Sequence, residues 1–286
     1  MYFYFVLFVF CLFQGRRRLN ELRATVFFLP NCHYLCQKFD SVCRTGHSAR
    51  RKKADIESRI LYEDNHLLIF YKRIGEIAQG DKTGDEPLAE TLKAFIAERD
   101  AKPGEVFLGV PHRLDRPVEG ILVLAKTSKA LERLSALFRD GGVHKTYWAL
   151  CCNAPDPEEA TLEDWLVRNE KQNKSYVTTQ KGSSAAKLAR LHYRLLAHTD
   201  RYHLVEVELF TGRHHQIRCQ LAHIGCPIKG DLKYGAPRSN PDGGISLQAH
   251  HISLIHPVRK TPLEITVPHP GSWKGIPASL AVVPRP

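Results

Sequence analysis

At 286 residues the chain has room for one large domain or a domain with an appendage, and its 43% hydrophobic, 25% charged composition excludes collagen-like, repetitive and disordered classes. The formal charge of +11 invites a nucleic-acid partner, yet residues 1–54 contribute +8 of it and the other 232 residues only +3, so bulk charge does not identify an RNA or DNA site. Of eight cysteines, the main body holds the adjacent Cys151 and Cys152 and the single Cys219 and Cys226 in apolar or helical patterns, which predicts reduced cytosolic thiols and no disulfides.

Tyr2 to Phe13 is almost wholly apolar and is followed by Arg16-Arg17-Arg18. A membrane span needs about 20 apolar residues, and a secretory signal carries its positive charge ahead of the apolar run. The segment fits neither, so no membrane attachment is expected. Cys32-x3-Cys36-x6-Cys43-x3-His47 approaches zinc-ligand spacing, but the intervals are not standard and no hairpin knuckle frames them. Met1 is the only methionine, and regular patterning begins near Asp55. Residues 1–54 are therefore read as an extension that does not fold with the rest or is not native, and residues 55–286 as the folded domain.

Ile60 to Tyr62 and Leu67 to Phe70 flank the turn-prone Glu63-Asp64-Asn65 and predict a hairpin. Leu88, Leu92, Phe95 and Ile96 recur at helical spacing over about 86–99, with Lys102-Pro103-Gly104 as the stop. Residues 106–111 predict a short strand and Ile121 to Leu124 another, placing the polar hexad His112-Arg113-Leu114-Asp115-Arg116-Pro117 on a loop between them. A second amphipathic helix covers about 128–140, with Ser128 as N-cap and Gly141-Gly142 as the stop. Val143 to Leu150 returns as a strand, on which Lys145 and Tyr147 share a face. Leu204 to Phe210 is a strand, and Thr211-Gly212-Arg213 turns into a helix at about 214–224 ended by Gly225. Residues 233–244 form a loop before strands at 245–254 and 263–267. Strands outnumber helices and both hairpins and helical crossovers occur, which predicts an α+β fold with a mixed, mainly antiparallel sheet.

Taken alone, Asp115 between Arg113 and Arg116 reads as a surface salt bridge, and Arg218 as a solvated helix arginine. A kinase catalytic loop is excluded, since no glycine-rich phosphate loop precedes the His-Arg-Leu-Asp run. Arg218 lies one turn after His214 on the expected helix, and adjacent histidines 214 and 215 would point about 100° apart there, so no metal site is expected.

Four ordered motifs change the reading. His112-Arg113-Leu114-Asp115, Lys145-x-Tyr147, Thr211-Gly212-Arg213-His214-His215-Gln216-Ile217-Arg218 and Gly225-x-Pro227-Ile228-x-Gly230-Asp231-x-x-Tyr234-Gly235 resemble the RluA-type RNA pseudouridine synthase family over about residues 58–268. The resemblance implies a curved mixed sheet with flanking helices and an RNA cleft across it. It implies Asp115 as catalytic aspartate, Tyr147 as the tyrosine packed on uracil and Arg218 as the basic partner of Asp115. Arg113 would help displace the target base, and Lys145 and His215 complete the expected RNA contacts. Two departures bear on loop geometry: Lys72-Arg73-Ile74-Gly75 stands where many relatives have Lys-Pro-Ala-Gly, and Arg116-Pro117-Val118-Glu119-Gly120 follows the aspartate instead of a Thr-Ser-Gly ending.

The implied reaction breaks the N1–C1′ bond of a uridine, turns the uracil and rejoins it through C5. Nothing leaves, so no cofactor is expected. Asp115 either attacks C1′ or takes a ribose proton to give a glycal. An ionised aspartate in a water-poor pocket needs a positive neighbour such as Arg218, and the tyrosine hydroxyl suits late proton removal from C5. The uridine must leave its stack first, at a cost of a few kcal/mol. The expectation is thus a monomeric, cytoplasmic isomerase acting on rRNA or tRNA without an obligate protein partner. The other reading is a non-catalytic RNA-binding assembly factor of the same fold.

Overall fold

The computed structural model describes residues 51, 53–80, 84–101, 103–180 and 185–281. The apolar run at 2–13 and the Cys32-to-His47 spacing lie outside the described residues.

The opening hairpin pairs β1 (Ile60–Glu63) with β2 (Leu67–Lys72), and the Asp64 carboxylate ties its turn by accepting the backbone N–H groups of His66 and Leu67 at 2.7 Å each. β2 pairs with β3 (Glu119–Ala125), and both strands are apolar on both faces because both faces are covered. Leu68, Phe70, Leu122 and Leu124 share one core cluster with Leu88, Leu92, Phe95 and Ile96 of α1 (Leu88–Arg99). Leu67, Ile69, Ile121 and Val123 meet Ala130 and Leu134 of α2 (Ser128–Arg139) in the other. Each such side chain contributes about 1.5–3 kcal/mol on burial.

The sheet of the described residues has ten strands. After β3 its order runs β9 (Leu247–Ile255), β4 (Val143–Cys151), β8 (His203–Leu209), β7 (Ala186–His198), β5 (Glu159–Asn169) and β6 (Lys174–Thr178), while β10 (Pro262–Thr266) pairs with β9. Every neighbouring pair is antiparallel except β3 with β9, which meet in parallel over Glu119↔Gln248 and Gly120↔Ala249. Gly120 is required there. At its φ of 119° a Cβ would lie 2.3 Å from the Ala249 carbonyl oxygen.

The α+β class with a mainly antiparallel sheet is therefore observed, with four corrections of detail. Residues 106–111 form no strand, only the isolated bridge Gly109↔Ala125. Thr127, not Ser128, caps α2, since its side chain accepts the Ala130 N–H at 3.1 Å. The third helix, α3 (Gln216–His223), begins two residues later than expected because His215 adopts a left-handed conformation, φ 52°. Finally, β5, β6 and β7 fall where the sequence reading assigns no element: β7 is rich in Ala, Leu, Lys and Arg, which favour helix, and ladders to β5 and β8 override that preference.

Candidate active site

The hexad loop is tied down from three sides. His112 starts it, its Nε2 accepting the Val123 N–H at 2.9 Å and its ring stacked on Phe138 at 4.3 Å. Burial, with Lys145 nearby, pushes this histidine down to about 3, so it stays neutral. Lys72, at the end of β2 and fully buried, lies below the loop with Nζ within 2.6 Å of the Val118 oxygen, 3.2 Å of Asp115 O, 3.3 Å of Arg116 O and 3.1 Å of Arg73 O. Burial lowers Lys72 to about 8, although Glu76, Asp115 and Glu119 act in the opposite direction. Arg116 binds Asp85 and the Gly75 carbonyl on the outside. The departing Lys72-Arg73-Ile74-Gly75 turn is wedged by Ile74, which fills the space a Cβ on Gly244 would need.

Across from this loop stands α3, whose residues Gln216 to Leu221 are all buried. Its entry is built by Gln216, whose Oε1 accepts the Thr211 hydroxyl at 2.7 Å and the Arg213 N–H at 3.0 Å. Gly225, at φ 81°, ends the helix as its left-handed C-terminal residue, with the Cys226 N–H returning to the Leu221 carbonyl at 2.9 Å.

Arg218 is 5% exposed, which excludes the solvated-arginine reading. Its Nε and Nη2 donate to the two oxygens of Asp231 at 2.6 and 2.9 Å, and Nη1 donates to Asp115 Oδ2 at 3.2 Å. Burial works against the Arg218 charge, and the Asp231 and Asp115 carboxylates outweigh it, holding the guanidinium above its ordinary value. The Asp115 side chain is 32% exposed, so the expected buried carboxylate is instead open on one side. Its Oδ1 accepts no hydrogen bond among the described residues.

Tyr147 on β4 is buried beside this pair, and burial together with Asp115 raises its phenol, which stays protonated. A bulge in the β4–β9 pairing sets its position, since Thr146 faces His251 while Tyr147 faces Ala249. Lys145 and Tyr147 border one small cavity with His112 and Ile121, as their shared face predicted. The Lys145 ammonium, lowered by burial, sits 5.9 Å over the Phe138 ring. Arg113 is exposed and has no hydrogen-bond or ion-pair partner among the described residues.

His215 corrects two expectations. It and His214 precede the helix, and their rings stack at 3.8 Å instead of diverging. His214 faces Ser175 Oγ at 2.9 Å, whereas His215 is 8% exposed, with Nδ1 3.0 Å from the Tyr234 hydroxyl and Nε2 3.5 Å from Asp115 Oδ2. A ring enclosed in this way is poorly placed for a phosphate and well placed for the aspartate. Lys72, Asp231, Tyr234 and Ser175 were not foreseen as site residues. Asp231 and Tyr234 lay in a quoted motif without a role, Lys72 heads a run noted only for its departure from relatives, and nothing in the sequence marks Ser175 apart from its neighbours.

The sequence profile described as RNA pseudouridylate synthase matches residues 66–223. Over 223 residues the chain is 34% identical to ribosomal large subunit pseudouridine synthase C of Vibrio cholerae, covering 76% of this chain and 67% of that protein. It is 29% identical over 268 residues to the mitochondrial pseudouridylate synthase RPUSD4 of Xenopus tropicalis, covering 80% and 82%. The human RNA pseudouridylate synthase domain containing 4 structure superposes with a TM-score of 0.66 at 24% identity, covering 79% of this chain and 94% of that one, a likeness of fold. The chain spans about two thirds of the length of the bacterial relatives it matches.

Proposed function

Because the chain belongs to the RluA-type RNA pseudouridine synthase family, we propose that it isomerises uridines in ribosomal RNA, with Asp115 starting the reaction at the ribose and no cofactor taking part. The observation that carries this reading is the meeting of Asp115 and Arg218, 103 residues apart in sequence, at 3.2 Å. Arg218 holds one carboxylate oxygen, and the 32% exposure of the Asp115 side chain leaves it open to a flipped nucleotide. In the covalent route Oδ1 bonds to C1′ as the N1–C1′ bond breaks, the uracil anion turns, C5 bonds to C1′ as the ester bond breaks, and the C5 proton is removed while N1 gains one. In the glycal route the carboxylate takes the C2′ proton as the N1–C1′ bond breaks and C1′=C2′ forms, and returns it to C2′ as C5 bonds to C1′. Tyr147 offers its ring face to the uracil and its hydroxyl to the proton leaving C5.

Arg113, exposed at the start of the loop, is the arginine suited to displace the base, and Lys145 supplies positive charge beside Tyr147. The ribosomal assignment comes from the names of the bacterial relatives, and a transfer RNA target is the competing substrate. Monomeric action in the cytoplasm, with residues 55–286 as the catalytic domain and residues 1–54 dispensable, completes the reading. An RNA-binding factor without turnover has less to support it, since binding alone gives no reason to hold a carboxylate open beside an arginine.

Mapping pseudouridines in ribosomal and transfer RNA from cells with and without the gene names the substrate. Tritium release from C5-labelled uridine by the purified full chain, undiminished by a chelator, is the expected activity; release abolished by a chelator and restored by one metal overturns the cofactor-free chemistry. Loss of activity on deleting residues 1–54 makes them a working part, with their +8 charge as an RNA contact.

A further inference from the structure

We propose that Tyr234 and His215 form a positioning relay for Asp115, in which Tyr234 fixes the proton of a neutral His215 on Nε2 so that Arg218 and His215 both engage Oδ2 and leave Oδ1 as the reacting oxygen. The proposal rests on Asp115 being the catalytic carboxylate.

The proton order follows from the hydrogen bonds. The Ser175 backbone N–H donates to the Tyr234 hydroxyl oxygen at 2.8 Å. A phenol has one proton, and with a donor already on its oxygen the proton is directed at His215 Nδ1, 3.0 Å away. An Nδ1 that accepts leaves Nε2 as the N–H of a neutral ring. That nitrogen lies 3.5 Å from Asp115 Oδ2, the same oxygen that Arg218 reaches at 3.2 Å.

Three features keep the ring in this state. Burial, then Arg218, His214, Lys233 and Arg168, push His215 down to about 2, so neither the nearby Asp115 nor ordinary acid charges it. The stacked His214 on one side and the edge-on Tyr234 ring, 5.7 Å between centroids, restrict its rotation. Its left-handed backbone, φ 52°, is uncommon for a residue with a Cβ, and it stands immediately before α3, with the ring 3.5 Å from Asp115.

Nitrogen-15 spectra of the full chain labelled at histidine, without RNA, read the tautomer directly. His215 is expected neutral with its proton on Nε2 from pH 5 to 9; a proton on Nδ1, or a charged ring, overturns the proposal. Tyr234→Phe removes the directing hydroxyl and keeps the ring, so the spectrum is expected to show both tautomers and kcat to fall roughly tenfold, the effect of one hydrogen bond, with KM little changed. The wild-type tautomer and rate surviving in that variant overturns it as well. His215→Gln retains an amide donor and is expected to keep more kcat than His215→Ala; equal rates for the two overturn the donor role. Should Asp115→Asn turn over normally, the functional reading fails, and this is distinguishable because the tautomer is read in the free protein.

Discussion

Arg218 has a closed end and an open end. At the closed end Asp231, 2% exposed, takes two short charge-assisted bonds; at the open end Asp115, 32% exposed, takes one longer bond from Nη1. A bidentate buried pair fixes the guanidinium plane, and what remains for Asp115 is one directed N–H on Oδ2, with Oδ1 left without a hydrogen bond among the described residues. The lesson of the difference is a division of labour: the buried carboxylate orients the arginine, and the exposed one keeps an oxygen free, as the proposed chemistry requires.

Substitutions at each end separate these roles. Asp115→Asn acts on the open end alone and is expected to lower tritium release on the order of 10⁴-fold, while RNA affinity in a filter-binding titration changes little; near-normal turnover would remove the distinction altogether. Arg218→Met strikes both ends. Turnover is expected to drop by about 10²–10³-fold, and chemical denaturation to report a loss of about 3–5 kcal/mol because Asp231 is left charged and buried without a partner. Adding Asp231→Leu to that variant should recover stability but not turnover, which tests whether the closed end is an anchor only. Asp231→Asn keeps the shape and loosens the guanidinium, with an expected loss of about tenfold in kcat.

The smallest effect belongs to Lys72, under the open end. Its folded value, about 8, lies below the value near 10.5 for an exposed lysine, so between those pH values the unfolded chain binds the extra proton. Unfolding free energy should therefore rise with pH across that window through this group, and the rise should be missing in Lys72→Met. Turnover should move in the opposite direction, declining above pH 8 as the ammonium that holds the loop carbonyls is lost. Denaturation and rate profiles at pH 7, 8, 9 and 10 compare the two.

The α1 and α2 helices, the opening hairpin and β3 were legible because their apolar spacing matches what the core buries: Leu88, Leu92, Phe95 and Ile96 are all buried. β5 to β7 were not, since their half-exposed faces carry charges and helix-favouring residues, and their pairing is long-range. In the candidate site, Asp115, Tyr147 and Arg218 are named by motif, and the structure places Arg218 and Tyr147 beside Asp115. His215 was expected as an RNA contact on a helix starting near 214, and the helix starts two residues later; a left-handed residue before a helix leaves no mark in an Arg-His-His run. Asp231 and Lys72 act through side-chain pairings that no local pattern encodes.

The parallel junction of β3 and β9 spans only two residue pairs, and it is where Gly120 meets the Ala249 backbone. Asp115 precedes the first of those strands, Tyr147 lies on β4 beside the second, and Arg218 comes from α3. The proposed reacting groups are thus assembled by contacts distant in sequence, the class whose loop-closure entropy slows folding. A chain with its hairpin and outer ladders already in place, but this junction unmade, would be silent toward uridine, so recovery of turnover during refolding times the closing of the junction and not the formation of secondary structure.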